Sequence, residues 1–169
     1  GWTPKEAVRI LNGMQEKGLD LEFVEQPVKA HDFEGLKYVT ERSYVPVLAD
    51  ESVFSPQDAL TIMQMGAADL VNIKLMKCGG LYNALKIASA AEVYGVECMI
   101  GCMLEAKISV NAAVHLACAR NIITMAMPAL SLYPASVYSA RLSMARAKRP
   151  PELSVRRPSN SRSVIFRPD

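Results

Sequence analysis

The hydrophobic positions of this chain fall into short apolar runs separated by longer stretches with helical spacing. Four runs, Leu21–Glu25, Val45–Asp50, Asp69–Lys74 and Cys98–Gly101, hold mostly aliphatic residues and are too short for helices, so they read as strands buried on both faces. Between them, stripes such as Ala7, Ile10, Leu11 and Met14, or Ala59, Ile62 and Met63, recur every three to four residues and predict amphipathic helices. The punctuation agrees with that reading. Thr3-Pro4-Lys5-Glu6 and Ser55-Pro56-Gln57-Asp58 each offer a capping hydroxyl, a proline at the first helical position and an acid that reaches back. Gly18, Gly66 and Gly95 stand where helices stop, and Pro27 closes the first strand. A short helix opens at His31-Asp32-Phe33-Glu34, and two more cover Tyr82–Tyr94 and Ala106–Arg120, the last with Ile108, Ala112, His115 and Leu116 turned inward.

Each strand ends on or beside a polar group, and the spacing between those ends is nearly constant. Glu25 to Asp50 is 25 residues, Asp50 to Lys74 is 24, and Lys74 to Cys102 is 28. One strand, one loop and one helix fill such an interval, so four βα units in series predict an α/β fold with a parallel sheet. The regular interval favours a partial (β/α)8 TIM barrel over an open sheet, with chemistry expected at the carboxyl ends of the strands. Four units are half of such a barrel. Trp2-Thr3-Pro4 reads as a loop leaving a preceding strand, so the expectation is the second half of something larger.

Composition adds a boundary. At 169 residues, with 50% hydrophobic and 21% charged content, the chain can bury a core. It has no apolar run of the roughly 18 residues that would span a bilayer. Its four cysteines have neither zinc nor disulfide-scaffold spacing, so reduced thiols and a cytoplasmic location are expected. Residues 1–124 hold 11 Lys and Arg against 15 Asp and Glu, while residues 125–169 hold 8 against 2 and contain no glycine. The chain is therefore read as a barrel unit over 1–124 and a basic tail over 125–169, expected to be irregular, either disordered or translated out of frame. That tail has charge for nucleic acid, but no recognisable module or aromatic platform, so no specific nucleic-acid partner is expected. Open sheet edges make self-association an expectation, and a non-catalytic half-barrel remnant or a dimerising structural protein is the alternative to an enzyme.

Three motifs carry a family resemblance: Glu25-Gln26-Pro27, Ala49-Asp50-Glu51-Ser52 and Asn72-Ile73-Lys74-Leu75-Met76-Lys77-Cys78-Gly79-Gly80. Over residues 1–124 the sequence resembles the enolase superfamily, of the muconate-lactonizing and mandelate racemase type, with the dipeptide epimerases as the nearest likeness. The resemblance implies Mg2+ as cofactor, Glu25 and Asp50 as two of its ligands, and Lys74 as the acid/base at the end of barrel strand 6. Cys102, Met103 and Glu105 then fall in the loop after strand 7, which lines the substrate pocket. The family's third acidic ligand, on strand 3, and its strand-2 lysines would precede Gly1. Its strand-8 Asp-x-Asp has no counterpart after Asn121–Thr124, where no carboxylate occurs before Glu152.

The implied reaction is proton removal and return at a carbon next to a carboxylate, through an enediolate, in a dipeptide or related small molecule. o-Succinylbenzoate synthase, N-acylamino acid racemase and muconate cycloisomerase share the same residue plan. Lys74 must be neutral to accept a proton, which an apolar strand end beside a cation favours. With one base and two ligands, the chain alone is expected to be inactive. Lys77 reads as a structural or bracing residue, Glu51 equally as a brace for the metal site or as a solvated or salt-bridged acid, and His31 and His115 as a surface and a core or boundary histidine without a catalytic role.

Overall fold

In a computed structural model, the described part of the protein comprises residues 1–126 and the pair Ile165–Phe166. Helix α1 (Pro4–Glu16) begins as its sequence predicts, with the Glu6 carboxylate accepting both the Thr3 backbone N–H at 3.1 Å and the Thr3 hydroxyl at 2.6 Å. Strand β1 (Phe23–Glu25), helix α2 (Phe33–Arg42) and strand β2 (Val47–Ala49) follow. The strand starts later than the apolar run because Pro46 has no N–H to give a ladder. Helix α3 (Pro56–Met65) is capped by Ser55, whose hydroxyl accepts the Asp58 N–H at 3.1 Å. Strand β3 (Leu70–Lys74) runs into a single helical turn, α4 (Leu75–Cys78), and Gly79 and Gly80, both at positive φ, turn the chain into α5 (Leu81–Tyr94). Strand β4 (Glu97–Gly101), helix α6 (Lys107–Ala119) and strand β5 (Ile123–Ala126) complete the described α/β series.

All the strands pair in parallel, in the order β5-β4-β3-β2-β1-β6, where β6 is Ile165–Phe166 laid along the outer edge of β1. The partial barrel of the sequence reading is thus observed, with β5 as a fifth strand running across the composition break near Thr124. Within residues 125–169, positions 127–164 and 167–169 lie outside the described residues, and with them most of the expected irregular tail and its basic side chains.

Alternation along the strands sorts side chains to two faces. Val24, Val47, Ala49, Val71, Ile73 and Ile100 join Leu11, Leu36, Ile62, Ile87 and Leu116 of the helices in one large core on the outer face. Phe23, Leu48, Leu70 and Met99 form a second, smaller cluster on the opposite face. The register staggers that inner face. Glu25 pairs with Leu48, and Ala49 with Val71, so Asp50 sits one step beyond Glu25 and Lys74 a further step beyond Asp50. Such a stagger is what strand tilt in a barrel imposes.

Helix α6 meets expectation at Leu116, which is buried, and at Ala112, which is partly buried against the core, and departs from it at two positions. Its buried positions are Val110, Ala113 and Leu116, whereas Ile108 is 85% exposed and His115 is exposed. The loop after β4 sets the rotational phase of the helix, and Val110-Ala113-Leu116 is an equally good helical stripe. His31 is exposed just ahead of the Asp32 N-cap. All four cysteines are free thiols, and among the described residues no helix is long and apolar enough to cross a membrane.

Two glycines separate backbone strain from space. Neither Gly13, inside α1, nor Gly66, the left-handed cap of α3 at φ 61°, has any atom within 4 Å of an added Cβ. Gly13→Ala is expected to stabilise the chain by roughly 0.5–1 kcal/mol, and Gly66→Ala to destabilise it by about 1 kcal/mol. Paired urea unfolding curves read both signs; equal effects would contradict the assigned conformations.

Candidate active site

The carboxyl ends of β1, β2 and β3 gather one charged residue each. Glu25 is 2% exposed, Asp50 0% and Lys74 4%. Burying three ionisable groups side by side is tolerable only if each finds a partner of opposite charge or a hydrogen bond. Lys74 Nζ donates to Asp50 Oδ2 at 2.5 Å. Lys77 donates to the other carboxylate oxygen, Oδ1, and to the Asp50 backbone carbonyl. The Glu25 carboxylate adjoins Asp50. It also accepts the side-chain amide of Asn72 at 3.1 Å.

Local sequence explains why two lysines reach one acid. Lys74 ends β3 and is the N-cap of the one-turn helix α4, so Lys77, three residues on, returns to the same side one turn later. Gly79, in the left-handed region at φ 81°, then stops the turn. Burial pushes the Asp50 carboxyl up, but the Lys77 charge and the hydrogen bonds from Lys74 and Lys77 outweigh it and hold the group below its usual value. The Lys77 ammonium is pulled down by burial, with Asp50 opposing and Lys74 reinforcing that shift.

A third layer of contacts ties the first two strand ends together. Gln26 has φ 42°, the left-handed region that non-glycine residues avoid at a cost of roughly 1–3 kcal/mol. Its side-chain oxygen accepts the backbone N–H of Asp50 at 3.0 Å and of Ser52 at 3.2 Å. Its side-chain nitrogen donates to Ser52 Oγ at 2.8 Å and to the Val28 carbonyl at 3.1 Å. Ser52 Oγ donates onward to the Ala30 carbonyl at 2.7 Å.

The predicted pocket residues divide. Cys102 follows β4 directly, is half-buried, and lies within the electrostatic reach of both Lys74 and Glu105; burial and Glu105 push its thiol up while Lys74 opposes them. Met103 is 48% exposed on the rim. The Glu105 carboxylate is turned back on its own loop, accepting the Met103 N–H at 2.8 Å and the Ser109 hydroxyl, so its contacts fix the loop ahead of α6. Glu51 is exposed. Sequence reasoning passed over Asn72, Gln26 and Ser52, although all three lie inside the quoted motifs, and gave Lys77 only a bracing role.

The donor set is chemically suited to a hard divalent ion. Two adjacent buried carboxylates could supply oxygen ligands. Asn72 Oδ1, buried and without a hydrogen-bond partner, adds a third oxygen beside them. Among the described residues there is no cluster of three or more His, Cys, Asp or Glu that could hold a metal ion.

The chain is 65% identical over 124 residues to the L-Ala-D/L-Glu epimerase of Clostridium acetobutylicum, a match covering 73% of this chain and 35% of that protein. It therefore spans about a third of the length of such relatives. The substrate-liganded L-Ala-D/L-Glu epimerase of Bacillus subtilis superposes with a TM-score of 0.75 at 48% identity, over 78% of this chain and 37% of that one. The dipeptide epimerase of Enterococcus faecalis, solved with Mg and the dipeptide L-Leu-L-Tyr, gives 0.73 at 49% identity over the same shares. Since the enolase C-terminal domain-like family also matches residues 1–152, a span that takes in the ends of β1 to β5, the chain belongs to that family, MR_MLE_C.

Proposed function

We propose that this chain carries the metal-binding and one base-bearing portion of a dipeptide epimerase site, and that the isolated 169-residue chain does not turn over substrate. The observation that supports the reading is the convergence of Glu25, Asp50 and Lys74 at three successive strand ends, with Lys74 Nζ 2.5 Å from Asp50 Oδ2. Glu25 and Asp50 would hold Mg2+, with Asn72 keeping the Glu25 carboxylate oriented. Bound there, Mg2+ would supply positive charge next to the substrate carboxylate and so favour loss of the adjacent proton.

The chain's own residues supply the rest of the logic. Lys74 offers the amine that takes or returns the proton on one face of the carbon. Its present bond to Asp50 holds Nζ at the rim of the strand ends. Lys77 brings a second ammonium group to Asp50, in the same space as Lys74. Cys102 and Met103 would line the pocket above, on a loop that Glu105 holds in shape. Inversion at carbon needs a proton donor on the opposite face as well, and Lys74 cannot serve both faces from one strand end. An assay with L-Ala-L-Glu, following the D/L ratio over hours, is expected to show no turnover above a Lys74→Ala control. Turnover that depends on Lys74 in the isolated chain would overturn the proposed inactivity.

Cation binding is separable from turnover. Mn2+ used as a paramagnetic probe in place of Mg2+ should bind the chain, and Glu25→Gln or Asp50→Asn should weaken that binding by at least about tenfold. Equal Mn2+ spectra for all three proteins would exclude both carboxylates as ligands.

The charge arrangement also fixes an acid-side stability profile. Asp50 has its folded-state carboxyl below the usual 3.8, so the stability it contributes is fully present above that value and is lost as pH falls through the lowered one. Unfolding free energy measured between pH 6 and 2 should therefore fall steeply below about pH 4. Asp50→Asn should flatten that slope while costing roughly 3–5 kcal/mol at pH 7, because two buried ammonium groups lose their counter-charge.

A further inference from the structure

We propose that Gln26 is the positioning residue of the strand-end site: its side-chain amide clamps the turn from Asp50 to Ser52 and thereby sets the Asp50 carboxylate against Glu25. The inference rests on the proposed cation role of those two acids only for its consequence; the clamp itself rests on contacts within the chain.

Three observations carry it. First, Gln26 is the immediate chain neighbour of Glu25 and, 8% exposed, is buried. Its four side-chain bonds run to Asp50 N, Ser52 N, Ser52 Oγ and Val28 O, so one amide spans both strand ends. Second, the amide can sit only one way round. Two backbone N–H groups face one end and the Val28 carbonyl faces the other, so a reversed amide would set donors against donors and an acceptor against an acceptor. Third, Gln26 is the one non-glycine residue at positive φ among the described residues. Glycine would occupy that backbone without strain, yet a long amide stands there, which is expected where the side chain is needed for the bonds it makes.

The rest of the network is consistent with this role. Asp50 N and Ser52 N lie in the turn after β2, outside any ladder, and Gln26 Oε1 is the acceptor for both. Ser52 Oγ receives one Gln26 proton and passes its own to Ala30, tying the turn to the segment that follows Pro27. From the Asp50 side, Val53 N and Lys77 take the backbone carbonyl. The turn is therefore held from both ends, and the amide of Gln26 is the part that connects it to β1.

The test uses the full chain and two readouts. Gln26→Gly and Gln26→Asn both accept a left-handed backbone, and both lose the reach of the amide. Amide hydrogen exchange followed by NMR should accelerate about tenfold or more at Asp50 and Ser52 in the Gly and Asn variants. Exchange in α5, for example at Ile87, should change by less than about twofold. Mn2+ affinity should fall by about tenfold in the Gly and Asn variants. Unchanged exchange at Asp50 and Ser52, or equal acceleration throughout the chain, would overturn the clamp. If exchange behaves as expected but the unaltered chain binds no Mn2+, the clamp stands and the cation reading fails. Should one of the two shortened variants not fold, the other gives the same readout.

Discussion

A carboxylate that is fully out of water governs this structure. Transferring such a group to a low-dielectric interior costs several kcal/mol, which is recovered only when its oxygens are met by charge and its backbone is satisfied. Asp50 meets both conditions through Lys74 on one oxygen and Lys77 on the other. Its N–H is taken by Gln26 and its carbonyl by Val53 and Lys77. Each of these partners arrives from a different piece of chain: the end of β3, the turn of α4, the residue after β1 and the start of the loop to α3. The parallel sheet brings those pieces together, because its strands all finish on the same side.

The elements that set this geometry were largely readable from sequence, for a physical reason. Strands buried on both faces are mostly apolar, so the run of Leu70, Val71 and Ile73 announces itself, as does the lysine that ends it. Capping boxes and left-handed glycines act locally, which is why Thr3, Ser55, Gly66 and Gly95 mark helix ends without knowledge of the rest. The family resemblance that rested on three motifs is matched by the family assignment of residues 1–152.

What escaped the sequence depended on more than one segment. The four residues of α4 are too few to show a period, so nothing local reported that Lys77 returns beside Lys74 onto Asp50. Gln26 precedes a proline, in a context whose propensity is extended, and only the partners waiting across the β2 turn account for its left-handed backbone. The inward stripe of α6 was legible only in part: Leu116 and Ala112 face the core, but the loop through Met103 and Glu105 sets a rotation that exposes Ile108 and His115 in favour of Val110 and Ala113. Pairing of Ile165–Phe166 with β1 is a meeting of distant segments, and two residues carry no pattern of their own.

Beneath the ionic rim lies the small inner cluster of Phe23, Leu48, Leu70 and Met99. Two of these side chains sit two residues before Glu25 and Asp50 on the same strand faces, touching hydrocarbon rather than charge. Such a layer excludes polarisable solvent from below, and the force between charges grows as the surrounding medium becomes less able to screen them. The basement of the half-barrel is thus an insulator. Its oily side chains help set how strongly an ammonium and a carboxylate feel each other one storey up, so the electrical character of the rim is written partly in residues that bear no charge at all.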